Sequence, residues 1–354
     1  MRDRREEALE LFARGAFIPA APLALDAARR FDEPAQRRLL RYYLEAGADG
    51  IAVAVHTTQF RIRDPEIALL EPVLKVAAEE IGRFEAETGR VILHIAGACG
   101  PVEQAVAEAE LALRHGYDAV LLSPGGLPGF TEEDLLERTR AVATVLPVIG
   151  FYLQPSVGGR ALSYAYWQRL CEIGNVIGIK CASFDRYSTI DVARAAALAS
   201  REVTLYTGND DNIVVDLLTP LRFTVGGKAV EKRFEGGLLG HWAVCTRSAV
   251  GLFHALKRAA REAQIPSEYL RLAAEVTDFN SAVFDTRNGF AGCIPGVHEV
   301  LRRQGLLEGV WCLDPNEALS PGQAEEITRV MGMYPHLCDP PERGIRPLAG
   351  ENKP

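Results

Sequence analysis

Eight short apolar runs, rich in β-forming residues, recur along this chain at nearly even intervals. They begin near Phe17, Asp49, Val91, Asp118, Pro147, Val176, Val203 and Gly237. The mean interval is about 31 residues, the length of one strand-plus-helix unit. The runs are continuously apolar, as in Gly50-Ile51-Ala52-Val53-Ala54-Val55 and Asn175-Val176-Ile177-Gly178-Ile179. Strands buried on both faces, in a parallel sheet covered by helices, read this way. Amphipathic segments separate the runs. Residues 103–114 place Val106, Ala109 and Leu113 on one face and stop at Gly116, a good helix terminator. Thr131-Glu132-Glu133-Asp134 sets a capping residue ahead of acids that suit a helix N-terminus. Eight such units predict an α/β fold, a closed (β/α)8 TIM barrel. An open doubly wound sheet is the competing fold, but no G-x-G-x-x-G follows the first run.

The same reading divides the chain. Residues 1–16 form an N-terminal helical extension and 17–246 the barrel. Residues 247–338 are helical and expected to pack on the barrel, and 339–354 read as an irregular tail. A charged segment, Arg222 to Glu235, carries Gly226-Gly227 and reads as an insertion before the last strand. The 39 basic and 47 acidic residues give a net charge of −8, which disfavours nucleic acid and anionic membranes as partners. No run approaches the roughly 20 apolar residues that span a bilayer. Met1 to Ala8 has mixed charge without a signal-peptide core, and the 7 cysteines form no C-x-x-C pair. A cytoplasmic protein with reduced thiols is expected.

The chemistry of such a barrel sits at the carboxyl ends of its strands. The sixth run ends in Gly178-Ile179-Lys180-Cys181-Ala182-Ser183. Alternation puts Lys180 on the face of Gly178 and Val176, the interior if Gly178 faces inward. An amine there loses hydration, which favours the neutral nucleophile that Schiff-base chemistry needs. The plainer reading is a lysine whose amine snorkels into water. The fifth run ends in Gly150-Phe151-Tyr152-Leu153-Gln154-Pro155. Alternation puts Tyr152 on the face of Gly150, a small residue that would leave room inside. A phenol there could move protons to and from a carbinolamine on Lys180. A packed rim tyrosine is the plainer alternative. The second run ends in Val55-His56-Thr57-Thr58-Gln59, whose hydroxyls and N–H groups could grip a carboxylate. Paired threonines also occur at strand ends on β-propensity alone.

Together these elements resemble the dihydrodipicolinate synthase/N-acetylneuraminate lyase family of class I aldolases. Its members are (β/α)8 barrels that bind pyruvate or a related 2-oxo acid as a Schiff base. The resemblance runs from about Gly15 to Val330. Gly178-Ile179-Lys180-x-x-Ser183 is similar to the family's G-I-K-x-x-S element, implying Lys180 as the imine-forming residue and Ser183 near substrate. Tyr152 with Pro155 matches a Tyr-x-x-Pro element and implies a proton-shuttling Tyr152. Thr57-Thr58 fall where the family has G-T-T-G-E, implying Thr57 in the proton relay and Thr58 on the carboxylate. Asn288-Gly289, Ile294-Pro295 and Glu299-Val300-Leu301-Arg302 are similar to the family's helical appendage.

The chain also departs from that pattern. His56 and Gln59-Phe60 replace the residues flanking the threonines, and Ser123-Pro124-Gly125-Gly126 stands where dihydrodipicolinate synthases have Thr-Pro-Tyr-Tyr. Ser156-Val157-Gly158 lacks the arginine those synthases use for a second substrate, so lysine biosynthesis is not the expected role. Asp210 and Asp211, after the seventh run, resemble the place where sugar-acid lyases hold hydroxyls; capping the next helix is the alternative. His56 is a further substrate-contacting candidate near neutral pH. His56, His94, Asp210 and His241 could bind a metal only if gathered from separate strands, so no metal or other cofactor is expected. The resemblance implies a lyase, an aldolase acting on a 2-oxo acid with an aldehyde or hydroxylated co-substrate, assembled as a homo-dimer or tetramer. A Schiff-base sugar-acid dehydratase or decarboxylase, or a silent 2-oxo acid binding relative, are the alternatives.

Overall fold

The computed structural model describes residues 3–340. The apolar runs form strands β1 (Phe17–Pro19), β2 (Gly50–Val53), β3 (Leu93–Ala98), β4 (Ala119–Leu122), β5 (Val148–Leu153), β6 (Val176–Ala182) and β7 (Thr204–Thr207). A hairpin of β8 (Leu221–Val225) and β9 (Lys228–Lys232) then precedes the eighth barrel strand, β10 (Phe234–Leu239). The barrel strands pair in parallel in the order β1-β10-β7-β6-β5-β4-β3-β2. A parallel bridge between Ala20 and Ala52 brings the last edge back to the first. This is the (β/α)8 barrel that the spacing of the runs predicts.

Helix α1 (Arg4–Arg14) precedes the barrel, and α2 (Glu33–Ala46), α3 (Leu70–Thr88), α4 (Val102–Arg114), α5 (Glu132–Ala143), α6 (Tyr164–Cys171), α7 (Arg186–Ala197) and α8 (Ile213–Leu218) follow successive strands. Helix α9 (Thr246–Ala259) packs between α8 and α2 and fills the eighth place in the ring. Helical periodicity alone does not separate a ring helix from an appended one, which is why the sequence groups α9 with the C-terminal region, 247–338. That region continues as α10 (Glu268–Val283), α11 (Cys293–Arg303) and α12 (Gln323–Met333). Among the described residues no helix is long and apolar enough to cross a membrane.

Alternation sorts each strand into two cores. Ile18, Leu93, Ile95, Leu121, Ile149 and Leu238 fill the barrel interior. Ile51, Val53, Val120, Val148, Ile179 and Leu205 face the helices instead. Helix α1 closes the amino end of the barrel. Its Phe12 stacks on Tyr206 with ring centroids 4.3 Å apart, and a Cβ on Gly178 would lie 2.7 Å from the Phe12 ring. The charged insertion is the β8–β9 hairpin, turning at Gly226-Gly227, both in the left-handed region that a tight two-residue turn needs. It packs on α7, and Lys232 pairs with Glu202 at 3.1 Å, just before β7, so it sits at the amino end of the strands. Of the expected tail, Asp339 is anchored by Ser248, whose N–H and hydroxyl both donate to it at 2.8 Å, and residues from 341 onward lie outside the described residues.

Candidate active site

The carboxyl ends of the strands open into a cavity lined mainly by apolar side chains with a few polar groups, the usual composition of a small-molecule site. Strand ends contribute Ala20, Val55, Phe151, Leu153, Lys180 and Ala182 to its wall. The βα loops add His56, Thr57, Gln154, Val157, Phe184, Gly208, Asp210 and Gly240. Phe284, Phe290 and Cys293 come from the C-terminal helical region.

Lys180 points inward. A bulge between Val148 and Ile149 sets Val176 opposite the first and Gly178 opposite the second, leaving Ile177 as the extra residue. Val176 therefore turns to the helices, and only Gly178 shares the interior face with Lys180 as alternation proposed. The lysine is 8% exposed, with its Nζ 4.5 Å from the centroid of the Phe151 ring. Gly208 makes room for it, because a Cβ there would lie 2.5 Å from the Lys180 Cε. Burial lowers the pKa of the amine, and the Asp210 carboxylate opposes that shift only in part. The Asp210 carboxyl is pushed upward by the same burial, against the Lys180 charge and a hydrogen bond from the His241 N–H at 2.9 Å. Asn280 fixes this loop by donating to the Asp210 carbonyl at 2.6 Å. His56, half-buried in the wall, is lowered to about 4 by burial and by the Lys180 charge, so its imidazole is neutral near pH 7.

Several sequence candidates stand elsewhere. Tyr152 belongs to the helix-side core, its ring stacked on Trp167 with centroids 5.1 Å apart. Gly150 faces the helices with it: its missing side chain leaves room outside the barrel, where a Cβ would meet Leu170 at 2.6 Å. Phe151, paired in register with Lys180, takes the inward position without a hydroxyl. Thr57 does line the cavity, but its hydroxyl donates to the Ala20 carbonyl at 2.8 Å. A hydroxyl has one proton, so this bond must break before Thr57 can donate in a relay. Thr58 is buried beneath the loop, donating to the Ala21 carbonyl at 2.7 Å and accepting from the Val55 N–H at 3.3 Å. Ser183 donates to the Asp185 carbonyl at 2.9 Å, in a polar cluster with Thr189 rather than in the cavity wall. Asp211 lies outside the wall, and the residue at the head of α8 is Asn212 rather than either aspartate.

His94 packs edge-on to Tyr117 and His241 edge-on to Phe279, with ring centroids 5.9 and 5.7 Å apart, neither in the cavity wall. The four residues considered as metal ligands are thus not gathered around one point. Sequence reasoning missed the aromatic wall: Phe151, Phe184, Phe284 and Phe290. Phe151 was legible, since it alternates with the correct face. The others sit in loops, where no periodicity marks direction. Phe184 and Phe290 hold left-handed backbone, with φ of +52° and +69°. A bulky side chain in that conformation costs on the order of 1–3 kcal/mol and persists where the surroundings enforce it. The Phe184 N–H donates to the Asn209 side chain at 3.0 Å and the Phe290 N–H to the Asp285 carbonyl at 3.0 Å.

A family model described as the dihydrodipicolinate synthetase family matches residues 14–228. The chain belongs to that family. It is 28% identical to a 4-hydroxy-tetrahydrodipicolinate synthase from Desulforudis audaxviator over 61% of this chain and 68% of that protein. It is also 28% identical to an N-acetylneuraminate lyase from Citrobacter koseri, over 57% of this chain and 64% of that one. These alignments thus span about two thirds of either relative. Among solved structures, a prophage protein of the dihydrodipicolinic acid synthase family from E. coli K12, in complex with pyruvate, superposes with a TM-score of 0.72 at 18% identity. That match covers 92% of this chain and 99% of the other. At that identity the likeness shows the fold. Family membership supports an activity of the aldolase or lyase kind.

Proposed function

We propose that the protein is a class I aldolase or lyase that binds pyruvate or a related 2-oxo acid as a Schiff base on Lys180. The observation that carries this reading is a buried lysine amine in the wall of the cavity at the strand ends, with the buried Asp210 carboxyl lining the same cavity. The neutral amine attacks the ketone carbon. Asp210, as the protonated acid, then gives its proton to the carbinolamine hydroxyl, which leaves as water. The resulting carboxylate stands beside the protonated imine, where it stabilises the cation and can take a proton in turn. His56, as neutral imidazole, and Thr57 line the same cavity from the end of β2, across the barrel from Lys180. The pyruvate bound to the E. coli K12 protein supports this choice of 2-oxo acid.

Asp210 replaces Tyr152 as the proton carrier, because Asp210 lines the cavity and Tyr152 does not. Borohydride reduction in the presence of pyruvate tests the whole reading. Intact mass followed by peptide mapping is expected to place one reduced adduct on Lys180. An unmodified Lys180 across a panel of 2-oxo acids overturns it.

A further inference from the structure

We propose that the co-substrate is an aromatic aldehyde and that the enzyme makes or cleaves 4-hydroxy-4-aryl-2-oxobutanoates, not polyhydroxylated sugar acids. This rests on the Schiff-base reading above and names the partner that the rest of the cavity selects. The cavity's polar side chains are few and already committed. Lys180 takes the ketone carbon, and the Thr57 proton is held by the Ala20 carbonyl at 2.8 Å. His56, Gln154 and Asp210 remain for a carboxylate, a leaving water and a migrating proton. A sugar chain would bring several hydroxyls, each losing water without a partner.

The rest of the wall is apolar and aromatic. Phe184 and Phe290 meet edge-to-face, ring centroids 5.7 Å apart and planes at 64°. The two rings come from loops far apart in sequence, each from a residue on left-handed backbone, and both reach the same cavity. Phe284 lines the same cavity, packed against Gly240: a Cβ added there would lie 3.2 Å from its ring. Such a wall offers ring edges and faces to an aryl group and no hydrogen-bond partners to the hydroxyls of a polyol. Phe284 and Phe290 also fall beyond residue 228, where the match to the family model ends, so these two rings of the wall lie outside what the family match covers.

In the cleavage direction, the substrate ketone condenses with Lys180 and loses water to form the protonated imine. The bond between C3 and C4 then breaks. Its electron pair passes into the imine to give an enamine, while the C4 hydroxyl proton goes to the Asp210 carboxylate. The aryl aldehyde leaves. The enamine takes a proton at C3 from Asp210, and water hydrolyses the imine to pyruvate and free Lys180. Every proton and electron is accounted for without an added oxidant or reductant.

The test has two arms on the full chain. Borohydride with pyruvate alone first reports the Lys180 adduct. Condensation of pyruvate with benzaldehyde is then compared with condensation with glyceraldehyde, read as kcat/KM. A preference for benzaldehyde of about tenfold or more is expected. Phe290→Asn, whose side chain tolerates left-handed backbone, is expected to reduce that ratio about tenfold, with circular dichroism confirming the fold. An adduct together with equal or better use of glyceraldehyde overturns the aromatic proposal and leaves the Schiff-base reading standing. Failure of Phe290→Asn to move the ratio in a folded variant also overturns it. No adduct with pyruvate brings down both readings, and the mass spectrum distinguishes that case from the others.

Discussion

At the amino ends of the strands, Phe12 and Tyr206 stack inside the barrel, and the Tyr206 hydroxyl both donates to the Phe12 carbonyl at 2.8 Å and accepts from the Ala16 N–H at 2.9 Å. Beside them Arg4 pairs with the fully buried Asp118 at 2.5 Å and with Glu85 at 2.9 Å. At the carboxyl ends, Lys180 and Asp210 are also buried but under-compensated. The contrast shows in their protons. Burial pushes Glu85 up, yet hydrogen bonds from the Arg4 guanidinium and the Ile92 N–H hold it down at about 2. Lys180 and Asp210 instead drift towards their neutral forms, because burial outweighs their partners. One end of the barrel spends its buried polar groups on cohesion, and the other keeps them reactive.

Removing the amine is the sharpest way to break this contrast. Lys180→Ala is expected to abolish the borohydride adduct and to lower turnover about a thousandfold or more. Its unfolding free energy in urea should hold or rise, since the change deletes a desolvated base. A variant that loses several kcal/mol of stability would mean that the carboxyl end is cohesive too. The mirror experiment is Phe12→Ala. Losing a ring packed on Tyr206 and against Gly178 is expected to cost about 3–5 kcal/mol while leaving kcat per folded molecule unchanged, read by urea melts and active-site titration.

Asp210→Asn comes next, with an expected drop in kcat of about a hundredfold. Its pH profile carries more information than its size. In the parent, the lowered amine gains a proton as pH falls and stops attacking, giving an acid limb. The raised carboxyl loses its proton as pH climbs and stops donating, giving an alkaline limb. The two limbs belong to the coupled pair. Removing the carboxylate deletes the charge that favours the ammonium, so the acid limb should move to lower pH and the alkaline limb should vanish. An unshifted profile would detach Asp210 from Lys180.

What could be read from the chain alone follows the same divide. The barrel was legible because its strands are buried on both faces, so runs such as residues 50–55 announce themselves without a partner sequence. Lys180 was legible because it ends such a run. The C-terminal wall was not, since Phe284 and Phe290 are loop residues whose direction depends on the turn at Asp285, itself on left-handed backbone. Ser183 and Thr58 sit at the right spacing yet give their hydroxyl protons to the carbonyls of Asp185 and Ala21. Spacing records where a residue lies along the chain and is silent about which acceptor claims its proton.

Tyr152 is the case where that silence matters most, and it yields the smallest expected effect. A phenol that shuttles protons should cost a hundredfold or more when its oxygen is removed, following the usual weight of acid–base catalysis. Tyr152 stands in the helix-side core against Trp167, and the inward residue of that strand is Phe151. Tyr152→Phe keeps the ring and its stacking, so kcat, KM and both pH limbs should stay within about twofold of the parent. The companion Phe151→Tyr returns a hydroxyl to the face that Lys180 occupies, where the ring now lies 4.5 Å from the amine. It should alter the pH profile even if the rate is little changed, because a new donor would compete with Asp210 for the same proton. If Tyr152→Phe were the damaging substitution and Phe151→Tyr the silent one, β5 would present its other face to the cavity during turnover. The assignment of proton transfer to Asp210 would then fall.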